Sequence, residues 1–282
     1  MAELRRMRPL LGTYVEVAAS GDQAESGIRA AFDSLAASHA KWSFQDPDSE
    51  LSQLNARPGS WVRLSGATLR LLRLARGMTA ASGGLFNCTV GGTLVRRGVL
   101  PDHGSVPLVD RGDAGDIELR TDAARLRRPV RVTLDGIAKG YAVDLAVQAL
   151  RRAGVSSGWV NAGGDLRVFG DADLPVHRRE ADGCMTPLGH VRNAALATSQ
   201  CGRPTTAFPA SIVGAVGAVG AVGAVADTET APTTLWTVLA RTGWRADALT
   251  KVAATASHGT RKQWVARLGG HLVEPARERQ AA

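Results

Sequence analysis

A lysine between two glycines stands where a helix is predicted to begin. Gly136 and Gly140 flank Lys139 and follow the apolar segment 130–134, which predicts a strand. Apolar residues then recur every four positions until Gly154, a pattern typical of a helix and its end. Free N–H groups and the positive end of the helix dipole attract phosphate oxygens at such a position. The segment favours phosphate binding, although a plain helix start with a solvated lysine has the same pattern.

A second glycine pair interrupts the next predicted strand, which runs from residue 159 to 169. Gly163 and Gly164 are adjacent there, with Asn161 and Asp165 on either side. Because glycine has no side chain, a ligand can contact the main chain at such a pair, and the two polar residues offer partners. A tight turn between two strands is the alternative interpretation.

An aspartate and a threonine share one face of a helix predicted over 246–256. Asp247 and Thr250 are three residues apart. Such hard oxygen ligands hold Mg²⁺ when ligand phosphates and waters complete the shell; a helix cap or a solvated face has the same pattern. If the pair binds metal from an exposed face, replacement of Asp247 by alanine should abolish Mg²⁺-dependent turnover and leave the fold intact.

Other common site chemistries lack their patterns. The six histidines show no HExxH spacing, and no GxSxG marks a nucleophilic serine. Cys88, Cys184 and Cys201 have no zinc or redox spacing, which indicates free thiols in a reducing compartment. The net charge is +8, but the arginines are scattered without a run longer than two, so nucleic-acid binding is not expected.

Length and composition indicate a globular chain: 282 residues, 44% hydrophobic and 21% charged. Periodicity predicts strands over 13–18 and 235–240 and helices over 24–39 and 68–82. A turn within 44–55 leads into a short helix capped by Asp48 or Ser49. The N-terminus reaches glycine and charge before any apolar run of signal length, so we expect a cytoplasmic protein.

The segment 204–226 carries no charge and contains four tandem Gly-Ala-Val triplets. It is long enough to cross a bilayer, but its triplet spacing and its glycines disfavour a helix. We expect a flexible low-complexity insertion rather than an ordered β-like segment or a membrane span. The last residues, 273–282, are expected to form a disordered tail.

Two segments carry a family resemblance. LDGIAKGYAVDLA (134–146), followed by VNAGGDLRVFG (160–170), resembles the signature of the ApbE-type FAD:protein FMN transferases. Five further blocks agree in family order: LGTYVEV near the N-terminus, WSFQDPDSELSQLN (42–55), GLFNCTVGGTLV (84–95), AALATS (194–199) and ADALTKV (246–252). The resemblance implies one domain over 1–272 with an α+β fold, two lobes and an FAD cleft, in which 204–232 is an insertion replacing a family motif.

The resemblance implies an activity and its partners. FMN passes from FAD to a threonine or serine hydroxyl of an acceptor protein carrying the pattern Asp-Gly-x-Ser/Thr-Gly-Ala-Thr, AMP is released, and Mg²⁺ bridges the pyrophosphate. The metal ligands would be the Gly136 carbonyl, the Asp247 carboxylate and the Thr250 hydroxyl, although many members place that threonine one residue later, at Lys251. The residues toward FAD would be Trp42, Phe86, Asn87, Cys88, Thr133, Lys139, Asn161, Gly163 and Gly164.

The chain departs from the family at a motif linked to transfer. Family members usually carry a histidine segment of the type H-[IL]-[IV]-D-P, whose histidine is a proposed base, but residues 200–232 contain no histidine. Thr133 replaces a family aspartate, and Asp135 a family glycine. Loss of a general base typically costs about 10²- to 10⁴-fold in rate. Two alternatives to transfer therefore remain: an FAD-binding member without transferase activity, and a slow FAD pyrophosphatase.

Overall fold

The computed structural model describes residues 3–104, 109–201 and 234–274. The strands in these ranges are β1 (Glu3–Leu10), β2 (Thr13–Ser20), β3 (Val62–Arg63), β4 (Ile117–Leu119), β5 (Ala123–Leu126), β6 (Ser157–Ala162), β7 (Asp165–Phe169), β8 (Leu174–Arg179), β9 (Met185–Val191), β10 (Ala195–Cys201), β11 (Thr234–Ala240) and β12 (Gly270–Val273). The helices are α1 (Ala24–Trp42), α2 (Glu50–Asn55), α3 (Gly66–Ala81), α4 (Gly91–Arg96), α5 (Ala138–Arg152), α6 (Gly243–Thr255) and α7 (Arg261–Arg267). The α+β fold class is confirmed.

A seven-stranded antiparallel sheet forms the larger part of the molecule. Its strand order is β1-β2-β6-β7-β10-β11-β12, and it packs against α1, α5 and α6. Side chains alternate between its two faces: Val160 lies in the main core, whereas Trp159 lies on the opposite face, which the β8–β9 hairpin covers. The smaller part is a three-stranded sheet, β3-β5-β4, which contacts α2 and α3.

Most of the predicted elements are present. The strand at 13–18 and the helices at 24–39 and 68–82 are confirmed as β2, α1 and α3, and the C-terminal strand and helix as β11 and α6. The short helix α2 is capped by Ser49, whose Oγ accepts the Ser52 N–H at 3.1 Å. Of the two cap candidates, serine is therefore the correct one.

The strand predicted over 130–134 is wrong. Apart from one isolated bridge between Val109 and Val130, no strand partner lies beside this segment in the described residues. Instead, the buried Asn55 side chain accepts the Val132 N–H and donates to the Val132 carbonyl, both at 2.8 Å. One side-chain amide thus satisfies both backbone groups of Val132, while the Arg131 carbonyl and the Thr133 N–H bind the main chain of Gly91 and Cys88. The helix after it begins at Ala138, two residues later than the predicted start at Gly136.

Two predictions fall largely outside the described ranges. The insertion at 204–232 lies outside them entirely, and so do residues 275–282 of the predicted tail. Residue 273 belongs to β12, where Val273 pairs with Thr237, so the tail prediction began too early. Among the residues that the structure covers, no helix is both long and apolar enough to span a membrane.

Candidate active site

The site is built where the first turns of α5 and α6 cross. A methyl group on Gly140 would place its carbon 2.2 Å from the Gly243 carbonyl oxygen, and one on Gly243 would lie 2.4 Å from the Gly140 oxygen. Both distances are far below van der Waals contact. Glycine at both positions is therefore what allows the two helix starts to touch.

Each of the two helices caps the other. The Asp144 carboxylate on α5 accepts the Gly243 N–H at 2.8 Å and the Trp244 N–H at 3.0 Å. In return, Asp247 Oδ2 on α6 accepts the Gly140 N–H at 3.1 Å. Neither helix has a capping side chain at its own N-cap residue. The exchange satisfies N–H groups that each helix leaves free at its start, and it fixes Asp247 at the start of α5.

Asp247 is fully buried, so the expectation of an exposed metal-binding face is wrong. Helix α6 packs against α5 on one side and β10 and β11 on another, which turns this face inward. Asp247 Oδ1 pairs with the ammonium of Lys251, which also donates to Ser199 Oγ at 2.9 Å. The prediction that Asp247→Ala leaves the fold intact rested on an exposed side chain, and the burial of Asp247 removes that argument.

Thr250 is fully buried as well. Its hydroxyl donates to the Asp247 carbonyl oxygen at 2.7 Å, and it lies 2.7 Å from Ser199 Oγ. Because the threonine proton is used in the first bond, Ser199 acts as donor in the second. Thr250 does share a face with Asp247, as predicted, but its hydroxyl is committed to protein partners.

Two loops reach the same place. A methyl carbon on Gly136 would lie 3.2 Å from Phe86 Cε2 and 3.5 Å from Lys251 Cε, so this glycine lies against both side chains. The Thr133 N–H donates to the Cys88 carbonyl at 2.8 Å. The segments 86–88, 133–136 and 247–251 therefore form one cluster, as the site prediction requires.

Lys139 joins the glycine turn to this cluster. Its Nζ lies 3.4 Å from Oδ2 of the buried Asp165, an oxygen that accepts no hydrogen bond. Asn161 Oδ1 accepts the Gly164 N–H at 3.0 Å and closes the turn between β6 and β7. The glycine pair is thus a tight turn, as the alternative interpretation proposed. The roles of Asn161, Gly163 and Gly164 toward a ligand stay predictions.

Burial shapes the charges of this cluster. It raises the pKa of Asp165 from 3.8 to about 6; the Asp247 carboxylate adds to this rise, and Lys139 and Lys251 oppose it. The facing carboxylate of Asp165 raises the pKa of Lys139, which therefore stays an ammonium. Asp135 is exposed beside this cluster, and its carboxylate accepts a hydrogen bond from Thr133 Oγ1 at 3.1 Å.

The raised pKa of Asp165 predicts a pH effect on stability. Burial makes the folded state hold this proton to a higher pH than the unfolded chain, which loses it near 3.8. Above the unfolded value the folded state binds more protons, so this group's contribution to stability falls as pH rises. Urea unfolding at several pH values should show this fall in the wild type relative to Asp165→Asn. A constant difference from pH 4 to pH 7 would contradict the assignment.

Three of the residues predicted to face FAD use their polar groups elsewhere. The buried Trp42 donates through Nε1 to Thr68 Oγ1 at 2.9 Å. Asn87 donates to the Gly112 carbonyl at 2.9 Å and accepts a hydrogen bond from the Thr89 N–H. The buried Cys88 Sγ lies 3.5 Å from Thr79 Oγ1, and burial raises the pKa of its thiol to about 11. Any contact of these three with a ligand would use an apolar edge or the main chain.

Sequence reasoning missed two polar members of the cluster. Ser199 ends the AALATS block, but nothing in its local pattern distinguishes it from other strand residues. Lys251 follows Asp247 by four residues, the spacing that brings two helix side chains together, and this signal was available. In the part of the chain that the structure covers, no group of three or more histidine, cysteine, aspartate or glutamate side chains is arranged to hold a metal ion.

Comparisons with known proteins agree on one family. A FAD:protein FMN transferase from Rhodobacter capsulatus is 32% identical over 181 residues, which are 57% of this chain and 34% of that protein. The match thus spans about a third of the relative's length.

Two solved structures share the fold. The ApbE protein of Thermotoga maritima matches with a TM-score of 0.74 at 22% identity. The match covers 96% of this chain and 93% of that protein. The apo form of the Pseudomonas stutzeri flavinyl transferase ApbE matches with a TM-score of 0.73 at 18% identity. This match covers 98% of this chain and 95% of that protein. The sequence profile of the ApbE family matches residues 11–272. The chain therefore belongs to the ApbE family.

Proposed function

We propose that this protein transfers FMN from FAD to a threonine or serine hydroxyl of an acceptor protein and releases AMP. Family membership and the name of the Rhodobacter capsulatus relative support the reaction. The observation that carries the proposal is the meeting of two ammonium groups, Lys139 and Lys251, with the first turn of α5. Phosphoryl transfer depends mainly on positioning and on charge stabilisation, which such groups supply.

In the proposed reaction, the acceptor oxygen bonds to the phosphorus on the FMN side of the diphosphate. The bond from that phosphorus to the bridging oxygen breaks, and AMP leaves with that oxygen. The hydroxyl proton passes to water. Lys139, whose side chain is 37% exposed, would stabilise the charge that develops on the phosphate oxygens.

The Mg²⁺ that the resemblance implies does not fit the residues as they are arranged. Asp247 engages the Gly140 N–H through one oxygen and the Lys251 ammonium through the other. The Thr250 hydroxyl is buried and donates to the Asp247 carbonyl oxygen. Of the three proposed ligand groups, the Asp247 carboxylate and the Thr250 hydroxyl therefore already have protein partners, which leaves the Gly136 carbonyl. No step of the proposed reaction passes through a metal ion.

The transfer is tested with the full chain, FAD and a peptide carrying Asp-Gly-x-Thr-Gly-Ala-Thr. We expect a peptide mass gain equal to FMN less water, with one AMP released per adduct. Lys139→Ala should slow the transfer by about 10²-fold or more, because it removes a charge that faces the phosphates. A peptide with alanine at the acceptor threonine is the matched control. An unmodified peptide at long times, beside an active transferase, would reject the proposal.

One sequence observation favours a second candidate, an FAD-binding protein without transferase activity. Residues 200–232 contain no histidine that could serve as base. Quenching of FAD fluorescence without AMP release would select this candidate. Free FMN together with AMP, but without a peptide adduct, would instead select the slow FAD pyrophosphatase.

A further inference from the structure

We propose that the ammonium of Lys251 replaces the divalent cation at Asp247, so that this chain binds the diphosphate of its dinucleotide without a metal ion. The identity of the dinucleotide rests on the proposed function. The role of Lys251 rests on the structure of α6 and its neighbours.

The ammonium lies where a cation would have to bind the carboxylate. Lys251 follows Asp247 by one helical turn, and Nζ contacts Asp247 Oδ1. A second N–H donates to Ser199 Oγ at 2.9 Å. Because an ammonium has three protons, one is left for an anionic ligand. Lys251 can therefore bind its carboxylate and a phosphate oxygen at the same time, as a bridging cation does.

The lysine is held in this position. Its stem lies against Gly136, where a methyl carbon would be 3.5 Å from Lys251 Cγ and Cε, and only 18% of its side chain is exposed. Ser199, its second partner, is itself hydrogen-bonded to Thr250. A flexible surface lysine would make way for a metal ion easily, whereas Lys251 would have to leave two polar partners and a packed stem.

The candidate oxygen ligands on α6 already have protein partners. Mg²⁺ requires near-octahedral oxygen ligands at about 2.0–2.1 Å, but both Asp247 oxygens already have partners and the Thr250 proton points to a carbonyl. A divalent ion at Asp247 would also stand beside the Lys251 ammonium, and the two cations would repel each other. Lys139 adds a second positive charge for a diphosphate.

The first test measures metal binding without FAD. Mn²⁺, a paramagnetic substitute for Mg²⁺, is titrated into the full chain and followed by electron paramagnetic resonance. We expect no stoichiometric binding of Mn²⁺ by the wild type. Lys251→Thr should bind one Mn²⁺ at least about tenfold more tightly than the wild type, because loss of the ammonium frees the Asp247 carboxylate and the threonine adds an oxygen ligand. Lys262→Thr, at a lysine whose side chain is 68% exposed, is the matched control and should behave as the wild type.

The second test measures FAD binding by quenching of flavin fluorescence. The wild-type Kd should agree within about twofold in EDTA and in Mg²⁺, whereas Lys251→Thr should bind about tenfold more weakly in EDTA and recover in Mg²⁺. Lys251→Met keeps the stem without the charge and should lose affinity in both buffers.

The outcomes separate this inference from the proposed function. Stoichiometric Mn²⁺ binding by the wild type, or a wild-type FAD affinity that collapses in EDTA, would overturn the role of Lys251. A protein that binds no FAD in any buffer would reject the proposed substrate, and the Mn²⁺ titration would still decide whether Lys251 blocks the metal. The wild-type titrations need no variant, so they test the role of Lys251 even if a substituted chain fails to fold.

Discussion

Replacing Asp247 by alanine is expected to lower the free energy of unfolding by about 3–5 kcal/mol, the range measured when one partner of a buried ion pair is removed. The side chain is fully buried, and its loss leaves the Gly140 N–H and the Lys251 ammonium without this partner. Urea unfolding followed by circular dichroism measures the change.

A matched control and a double-mutant cycle sharpen this prediction. Asp122→Ala removes an aspartate whose side chain is 64% exposed and whose ion pair with Arg63 is on the surface, so it should change stability by at most about 0.5 kcal/mol. Adding Lys251→Met to Asp247→Ala removes the unpaired charge and should restore part of the loss, with a coupling of about 0.5–3 kcal/mol. A loss below about 1 kcal/mol for Asp247→Ala would contradict its buried, paired environment.

Replacing Gly140 by alanine is expected to cost about 3 kcal/mol or more, at the upper end of the range for overpacking. The added methyl carbon would lie 2.2 Å from the Gly243 oxygen and 2.8 Å from Asp247 Cβ. Because the first of these neighbours is backbone, relief requires α5 and α6 to move apart. That movement would break the caps that the two helices exchange, so FAD binding should fall with the stability.

Gly77→Ala is the matched control for this glycine. Gly77 is exposed inside α3, and nothing lies within 4 Å of an added methyl carbon. Alanine there should raise the free energy of unfolding by about 0.5–1 kcal/mol, because glycine is a poor helix former. Equal effects at Gly77 and Gly140 would mean that the close crossing of α5 and α6 is wrong.

Local sequence patterns were sufficient to predict helices and strands that have a continuous apolar face or a local end signal. Helix α1 and strand β2 follow from periodicity, and Gly154 ends α5 with a positive φ of 88°. The segment around Val132 could not be predicted, because its backbone binds Asn55, which is 77 residues away in sequence. An apolar run alone does not reveal whether its hydrogen-bond partner is a strand or a side chain.

The site was predictable as a set of segments but not as a geometry. The blocks around Gly136 and Asp247 do meet, yet the burial of Asp247 depends on which face of α6 turns toward α5. That orientation follows from the contact between Gly140 and Gly243, and no helical pattern encodes such a pairing. The spacing of Lys251 from Asp247 is compatible with an ion pair. That this pair opposes metal binding follows only from the structure, in which Ser199 and Gly136 hold the lysine against the carboxylate.

The caps that α5 and α6 exchange also set an order of assembly. The aspartates and the N–H groups that they bind are 107 and 99 residues apart in sequence. On the ribosome, α5 emerges long before α6, so its first turn remains hydrated until the C-terminal part is synthesised. A nascent chain that stops before residue 243 would lack the exchanged caps, so the Gly140 N–H of α5 would have no carboxylate partner. The start of α5 would thus gain its full set of hydrogen bonds only after residue 247 has been synthesised.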